Sequence, residues 1–140
     1  MELHDNAKGT AIEELIKTLH TAEVHGSDSY YVLAAQAKAA GLDDLAEAMS
    51  LNAHEDSAHG GTYGAMLGLG ANDEATLWKR AVAFYQAEAS AKETLTALAQ
   101  KVRDAGFPDV ADVILATIPQ EYEHARRLAR VFEARGISYK

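Results

Sequence analysis

The chain has 140 residues, a formal net charge of −8, and a hydrophobic fraction of 48%. This length suits one domain with a single substantial core. The negative charge argues against nucleic acids and anionic membranes as partners, because binders of either need a basic surface. The sequence contains no cysteine, which excludes disulfides, thiolate nucleophiles and cysteine-ligated zinc or iron. Any metal ion must therefore be held through oxygen and nitrogen.

The composition favours a helical protein in the cytoplasm. Ala, Leu, Glu and Lys are abundant and there are only two prolines. No apolar run approaches the ~20 residues of a membrane-spanning helix, and the N-terminus lacks the apolar region of a secretion signal. We therefore expect no membrane association.

Four long segments show helical periodicity, and nothing between them is typical of a strand. The first begins near Thr10, where Thr10 and Glu13 predict a capping box, and it runs to about Ala40. The second begins near Asp43 and extends at least to His59, beyond which several glycines obscure its end. The last two are bounded by turn and capping residues: one opens after Asn72 or Asp73 and closes near Ala105, and the other starts at Pro108 and ends before Gly136.

A shift of 65 positions superposes the two halves of the sequence. Ala40-Gly41-Leu42 falls on Ala105-Gly106-Phe107, and several polar residues coincide as well. The chain is therefore predicted to consist of two similar helical hairpins, at about 10–68 and 73–135. Two copies of one hairpin make a four-helix bundle, so we expect a single all-α domain over 1–140.

Each predicted helix carries a carboxylate in the middle of its apolar stripe: Glu23, Asp56, Glu88 and Glu121. An isolated buried carboxylate costs several kcal/mol, and like charges at one level repel each other. Two divalent cations would neutralise the four carboxylates, and two imidazoles would complete the ligand set. The alternative for these residues is a helical bundle with a polar, water-filled core.

The spacing of the polar residues strengthens the metal hypothesis. Asp56 to His59 and Glu121 to His124 are both acid-x-x-His, which puts acid and imidazole one turn apart on one helix face. Each acid follows a Glu on the preceding helix by 33 residues. One Glu from each of two helices, with such a pair from each of the other two, is the ligand pattern of di-iron carboxylate bundles. Mixed oxygen and nitrogen ligation suits iron or manganese, and zinc could also occupy it.

On these residues and spacings, the chain resembles the ferritin-like domain of rubrerythrins over nearly its whole length. The resemblance implies a ferritin-like bundle that binds two iron ions. It implies that Tyr30, two turns after Glu23, lies beside the metals. The implied ligands are Glu23 and Glu88 as terminal carboxylates, Asp56 and Glu121 as bridging carboxylates, and His59 and His124 with one ion each.

Four features depart from the rubrerythrin pattern. Asp56 replaces a bridging Glu and is one methylene shorter. Ala91 stands where the family has a further Glu, one turn after the ligand on the third helix. The 140 residues include no rubredoxin-like iron domain, so we expect an external electron donor. Pro119, inside the fourth helix, removes the amide bond to the carbonyl of Leu115 and should kink the helix.

The resemblance implies a di-iron oxidoreductase of the peroxidase type that acts against oxidative stress. It would reduce hydrogen peroxide, or react with oxygen, and be re-reduced by a rubredoxin-type protein. The alternative is a non-catalytic metal-binding or iron-handling protein of the ferroxidase or storage type on the same bundle. Asp56 and Ala91 keep this alternative open.

The connection between the second and third helices predicts a hairpin-swapped homodimer. In ferritin-like bundles these helices run parallel, so their connection must travel back along the bundle. If the second helix continues to Met66 or Leu67, the return path is nearly ~40 Å, while residues 68–72 extend over at most roughly 18 Å. The first hairpin of one chain would then pack against the second hairpin of another. A break at Gly60-Gly61 would instead let one chain close on itself.

Overall fold

A computed structural model describes residues 4–139 of the chain. These residues form four helices and no strand, which confirms the predicted all-α class and is compatible with a four-helix bundle. None of the described helices combines the length and apolar character needed to cross a membrane. The helices are α1 (Glu13–Ala39), α2 (Asp43–Met66), α3 (Glu74–Asp104) and α4 (Pro108–Arg135).

The helices pair within two compact units, one ending at Asp73 and the other beginning at Glu74. In the first hairpin α1 packs against α2, and in the second hairpin α3 packs against α4. The helices of the first hairpin extend from Glu13 to Met66, and those of the second from Glu74 to Arg135. Each hairpin is described by itself below.

The turn inside each hairpin repeats the same hydrogen bond. The amide of Leu42 donates to the carbonyl of Ala37 at 2.9 Å, and the amide of Phe107 donates to the carbonyl of Val102 at 3.2 Å. The donor and the acceptor of the second bond each lie 65 positions after those of the first. The residue before each donor is a glycine with a positive φ, +73° and +92°, which a side chain would disfavour. The sequence duplication is therefore also a duplication of structure.

The capping box predicted between Thr10 and Glu13 at the start of α1 is wrong, because the two residues bond to other partners. The helix begins at Glu13, and the Thr10 hydroxyl accepts from the amide of Ile12 at 3.3 Å. The Glu13 carboxylate accepts from the amide of Gly9 at 2.6 Å instead of that of Thr10. The reason is that Thr10 already belongs to a preceding turn, in which its amide donates to the carbonyl of Ala7 at 3.2 Å.

Two helices continue through residues that often end a helix. α2 passes through Gly60 and Gly61 without a break and ends at Met66. Gly60 is buried against α1, where an added Cβ would lie 3.4 Å from Val24. α4 continues through Pro119, so the missing amide bond does not terminate it.

The buried residues of the first hairpin are small apart from Ile16, while most large apolar residues of the predicted stripes are exposed. The buried residues on the two helices include Ser27, Ala53 and Gly60. By contrast, Leu15 is 60% exposed, and Phe84 in the second hairpin is 67% exposed. Two helices contact each other along a narrow line, so a broad apolar stripe needs further helices to cover it. The stripes are therefore not the contact faces within each hairpin.

An aromatic cluster joins the helices of the second hairpin beyond the polar residues. Phe132 on α4 is fully buried, and its ring makes an edge contact with Trp78 at 6.3 Å between centroids and with Tyr85 at 6.0 Å. Tyr139 packs on Tyr85 at 4.8 Å and donates its hydroxyl to Glu133 at 2.7 Å. This hydrogen bond to a carboxylate raises the pKa of Tyr139 to about 12. The cluster anchors α4 to α3 two turns after His124.

Candidate metal centre

The first hairpin brings together three of the predicted ligands. Glu23 on α1 meets Asp56 and His59 on α2, and one ligand atom of each lies within 4.8 Å of the other two. The His59 Nδ1 is 3.6 Å from the Glu23 Oε2. The two carboxylates are half-buried, whereas the imidazole is exposed. We call this group the first cluster.

The second hairpin repeats this arrangement with the other three predicted ligands. Glu88 on α3 meets Glu121 and His124 on α4, again within 4.8 Å. The His124 Nδ1 lies 3.4 Å from the Glu88 Oε2 and 3.3 Å from the Glu121 Oε2. All three side chains are half-buried. We call this group the second cluster.

The residues of each cluster fit a divalent metal ion. Two ligand atoms that are each about 2.0–2.2 Å from one ion lie no more than about 4.4 Å apart. The three distances from imidazole to carboxylate, 3.3 to 3.6 Å, satisfy this limit. Two carboxylates in each cluster balance the charge of one divalent cation. Three donors leave open coordination positions, as oxygen and nitrogen sites for iron or manganese do.

Gly26 is part of the first cluster's surroundings, although the sequence analysis did not assign it a role. An added Cβ at this position would lie 3.0 Å from the Asp56 Oδ2. Gly26 follows Glu23 by three residues, so both face the same side of α1. The short side chain of Asp56 and the missing side chain of Gly26 are therefore complementary. The sequence did offer one sign of this role: a glycine in the middle of a helix costs about 1 kcal/mol relative to Ala, so its presence there suggests a packing or functional reason.

We expect Gly26→Ala to weaken metal binding while it strengthens the helix. The added methyl group displaces the Asp56 carboxylate, and changes next to metal ligands typically lower affinity by roughly tenfold or more. Gly61→Ala is the matched control, because nothing lies within 4 Å of a Cβ at that position in α2. Zinc titration and thermal melting of the metal-free proteins would measure both effects. Equal zinc affinity in the two variants would contradict the role of Gly26.

Tyr30 lies seven residues after Glu23 on α1 and is half-buried. Its hydroxyl forms no hydrogen bond with another described residue, and it is not part of the first cluster. Its placement beside the metals remains a prediction from the family resemblance.

The described residues form a helical protein with two similar groups of carboxylates and histidines that could hold metal ions, a pattern like that of ferritin-like metal proteins. Residues 80–140 match the family model of rubrerythrin. The match includes the whole second cluster, and it confirms the predicted resemblance for the second hairpin. The first hairpin repeats the same cluster at a distance of 65 positions. No curated protein and no solved structure matches the chain.

Proposed function

We propose that the two clusters combine into one dimetal centre within a four-helix bundle, that iron occupies it, and that the protein reduces hydrogen peroxide. The main support for this proposal is that the same cluster occurs in both hairpins. Each hairpin independently places two carboxylates and one imidazole within reach of one ion. Two such groups supply the six ligands of a di-iron carboxylate site.

By the family resemblance, Glu23 and Glu88 would each hold one ion of this centre as terminal ligands, and Asp56 and Glu121 would be shared by both ions. His59 and His124 would each complete one ligand set, because the Nδ1 of each lies near enough to a carboxylate oxygen for both atoms to bind the same ion. Two ferrous ions supply two electrons, the number needed to convert one hydrogen peroxide and two protons into two water molecules. The four carboxylates would balance the charge of the two ions, and the six ligands would leave coordination positions on the ions open.

The electrons come from another protein in this proposal. The 140 residues contain no cysteine, so they cannot form a cysteine-ligated iron site of the rubredoxin type. A rubredoxin-type donor is the partner that the family resemblance favours.

A second candidate function is iron handling, in which the same centre oxidises ferrous iron for storage. Two observations favour it. Ala91 on α3 offers no carboxylate where rubrerythrins have a further Glu. Asp56 is one methylene shorter than the Glu that rubrerythrins have at this position, which shortens the reach of its carboxylate. Both features reduce the freedom of ligands to rearrange during a redox cycle.

We expect the reduced, iron-loaded protein to react faster with hydrogen peroxide than with oxygen. Stopped-flow absorbance under anaerobic conditions would compare the two rates at equal oxidant concentration. Without an added donor, oxidation should stop after one peroxide per pair of ions, and a rubredoxin with its reductase should restore turnover. A faster reaction with oxygen, together with accumulation of ferric iron beyond two ions per centre, would favour iron handling. Continuous NADH-linked peroxide consumption by this protein alone would contradict the need for a donor.

A further inference from the structure

The second hairpin contains a cavity of about 430 Å³ that reaches its metal ligands. Glu88 and Glu121 line one part of it. Ala89, Lys92 and Tyr122 line another part, and Tyr122 is 68% exposed. The cavity therefore connects solvent with the second cluster.

The position of this opening follows from helix geometry. Ala89 and Tyr122 each follow a ligand by one residue, which turns them about 100° around the helix from Glu88 and Glu121. The same two residues also line a neighbouring depression along α3 and α4, beside Tyr85. The cavity thus leads from the cluster away from the apolar stripe.

The first hairpin is closed at the corresponding positions. A shift of 65 positions relates Lys92 to Ser27 and Tyr122 to Ser57. The two serine hydroxyls are 2.5 Å apart, and Ser27 is only 8% exposed. The two hairpins therefore have the same ligands but different surroundings.

Lys92 gives the cavity a positive charge near the cluster. It follows Glu88 by four residues on α3, so both project from the same side of the helix. No described residue forms an ion pair with Lys92. Glu123 also lines the cavity, but its carboxylate is paired with Arg126 at 3.1 Å. Once a divalent cation balances Glu88 and Glu121, Lys92 therefore leaves a net positive charge beside the open coordination positions. Such a site attracts small anions.

We propose that small inorganic anions, including the hydroperoxide anion, enter through this cavity and bind between Lys92 and the metal. This inference rests on the proposed metal centre and adds to it the route of entry and the charge preference. The Ser27–Ser57 contact closes the gap between the helices of the first hairpin, whereas the gap between the helices of the second hairpin admits the oxidant. Lys92 acts as a positioning residue for the anion.

Azide binding to the oxidised, iron-loaded protein tests this proposal, with absorbance giving both the dissociation constant and the association rate. Lys92→Met should weaken azide binding at least tenfold, and Lys92→Arg should restore most of it. Lys101→Met is the control, because it removes the same charge from an exposed site further along α3. Ala89→Leu should narrow the cavity and slow azide association without changing the iron content.

Elemental analysis and melting temperature of every variant separate this inference from the proposed function. Unchanged azide affinity in Lys92→Met, at full iron content, would overturn the anion site while leaving the metal centre intact. An equal loss in Lys101→Met would show a general charge effect and would also overturn it. Wild-type protein that binds no metal would overturn the proposed function and this inference together.

Discussion

Glu121→Ala is expected to remove most of the bound metal. In the proposed centre this carboxylate lies between the two ions, so its loss affects both of them. Its Oε2 is 3.3 Å from the His124 Nδ1, near enough for both atoms to bind one ion, so the variant also leaves the ion beside His124 with one carboxylate fewer. Elemental analysis after purification in the presence of iron should show a fall from two ions per centre to well below one.

Glu93→Ala provides the control for this result. Glu93 lies on α3, is exposed, and belongs to neither cluster, so its replacement should leave the metal content unchanged. Circular dichroism of both variants would establish that they remain helical. Full metal occupancy in Glu121→Ala would refute its assignment as a ligand.

Two defective variants are expected to restore a metal centre when they are combined in one dimer. The basis is the length of the connection between α2 and α3. Met66 lies roughly 15 Å beyond Asp56, and Glu74 lies roughly 21 Å before Glu88, at 1.5 Å per residue. A parallel arrangement of α2 and α3 in one bundle needs a return of roughly 36 Å. The connection covers at most roughly 29 Å even when extended.

The continuity of α2 through Gly60 and Gly61 removes the longer connection that would have allowed one chain to close on itself. The exposed stripe residues, such as Leu15 and Phe84, also need a partner surface. Exchange of hairpins between two identical chains satisfies both requirements. Each metal centre would then take the first cluster from one chain and the second cluster from its partner.

The test combines Glu23→Ala/His59→Ala in one chain with Glu88→Ala/His124→Ala in another. Each double variant alone should bind little iron, because every centre in its dimer lacks half of the ligands. In a swapped mixed dimer, one centre receives both defective clusters and the other receives both intact clusters. Co-expression with two affinity tags would isolate this dimer, which should hold about half the iron of the wild type.

A mixed dimer that binds no more iron than the separate variants would show that each centre comes from a single chain. Light scattering of the wild type gives an independent check, since a monomer with full metal content would also refute the exchange. Mixing the two purified variants without unfolding serves as a control for the rate at which chains exchange.

The sequence was sufficient to predict the helices and the clustering of polar residues, because both depend on local spacing. An acid-x-x-His pair faces one side of a helix wherever it occurs, and the 65-residue repeat identified its partner on the preceding helix. The family match over residues 80–140 agrees with the pattern in the second hairpin. The end of α2 was the uncertain boundary, since glycines weaken a helix without determining where it stops.

The features that were missed depend on distances between helices. The contact of Gly26 with Asp56 and the hydrogen bond between Ser27 and Ser57 are set by how closely α1 approaches α2. Periodicity in the sequence identifies the face of a helix, but it does not give the distance between two helices. The capping partner of Thr10 was also missed, because an earlier turn had already engaged its backbone amide.

The repeated turn at Gly41 and Gly106 has an evolutionary consequence. A single hairpin of this kind already contains two carboxylates, one imidazole and its own connection, so two separate copies would provide the same six ligands. The smallest self-sufficient unit of this architecture is therefore one hairpin, used twice. When two copies are fused into one gene, their sequences no longer have to be identical. One copy can then keep its two helices in close contact, with Ser27 and Ser57, while the other evolves an entrance, with Lys92 and Tyr122.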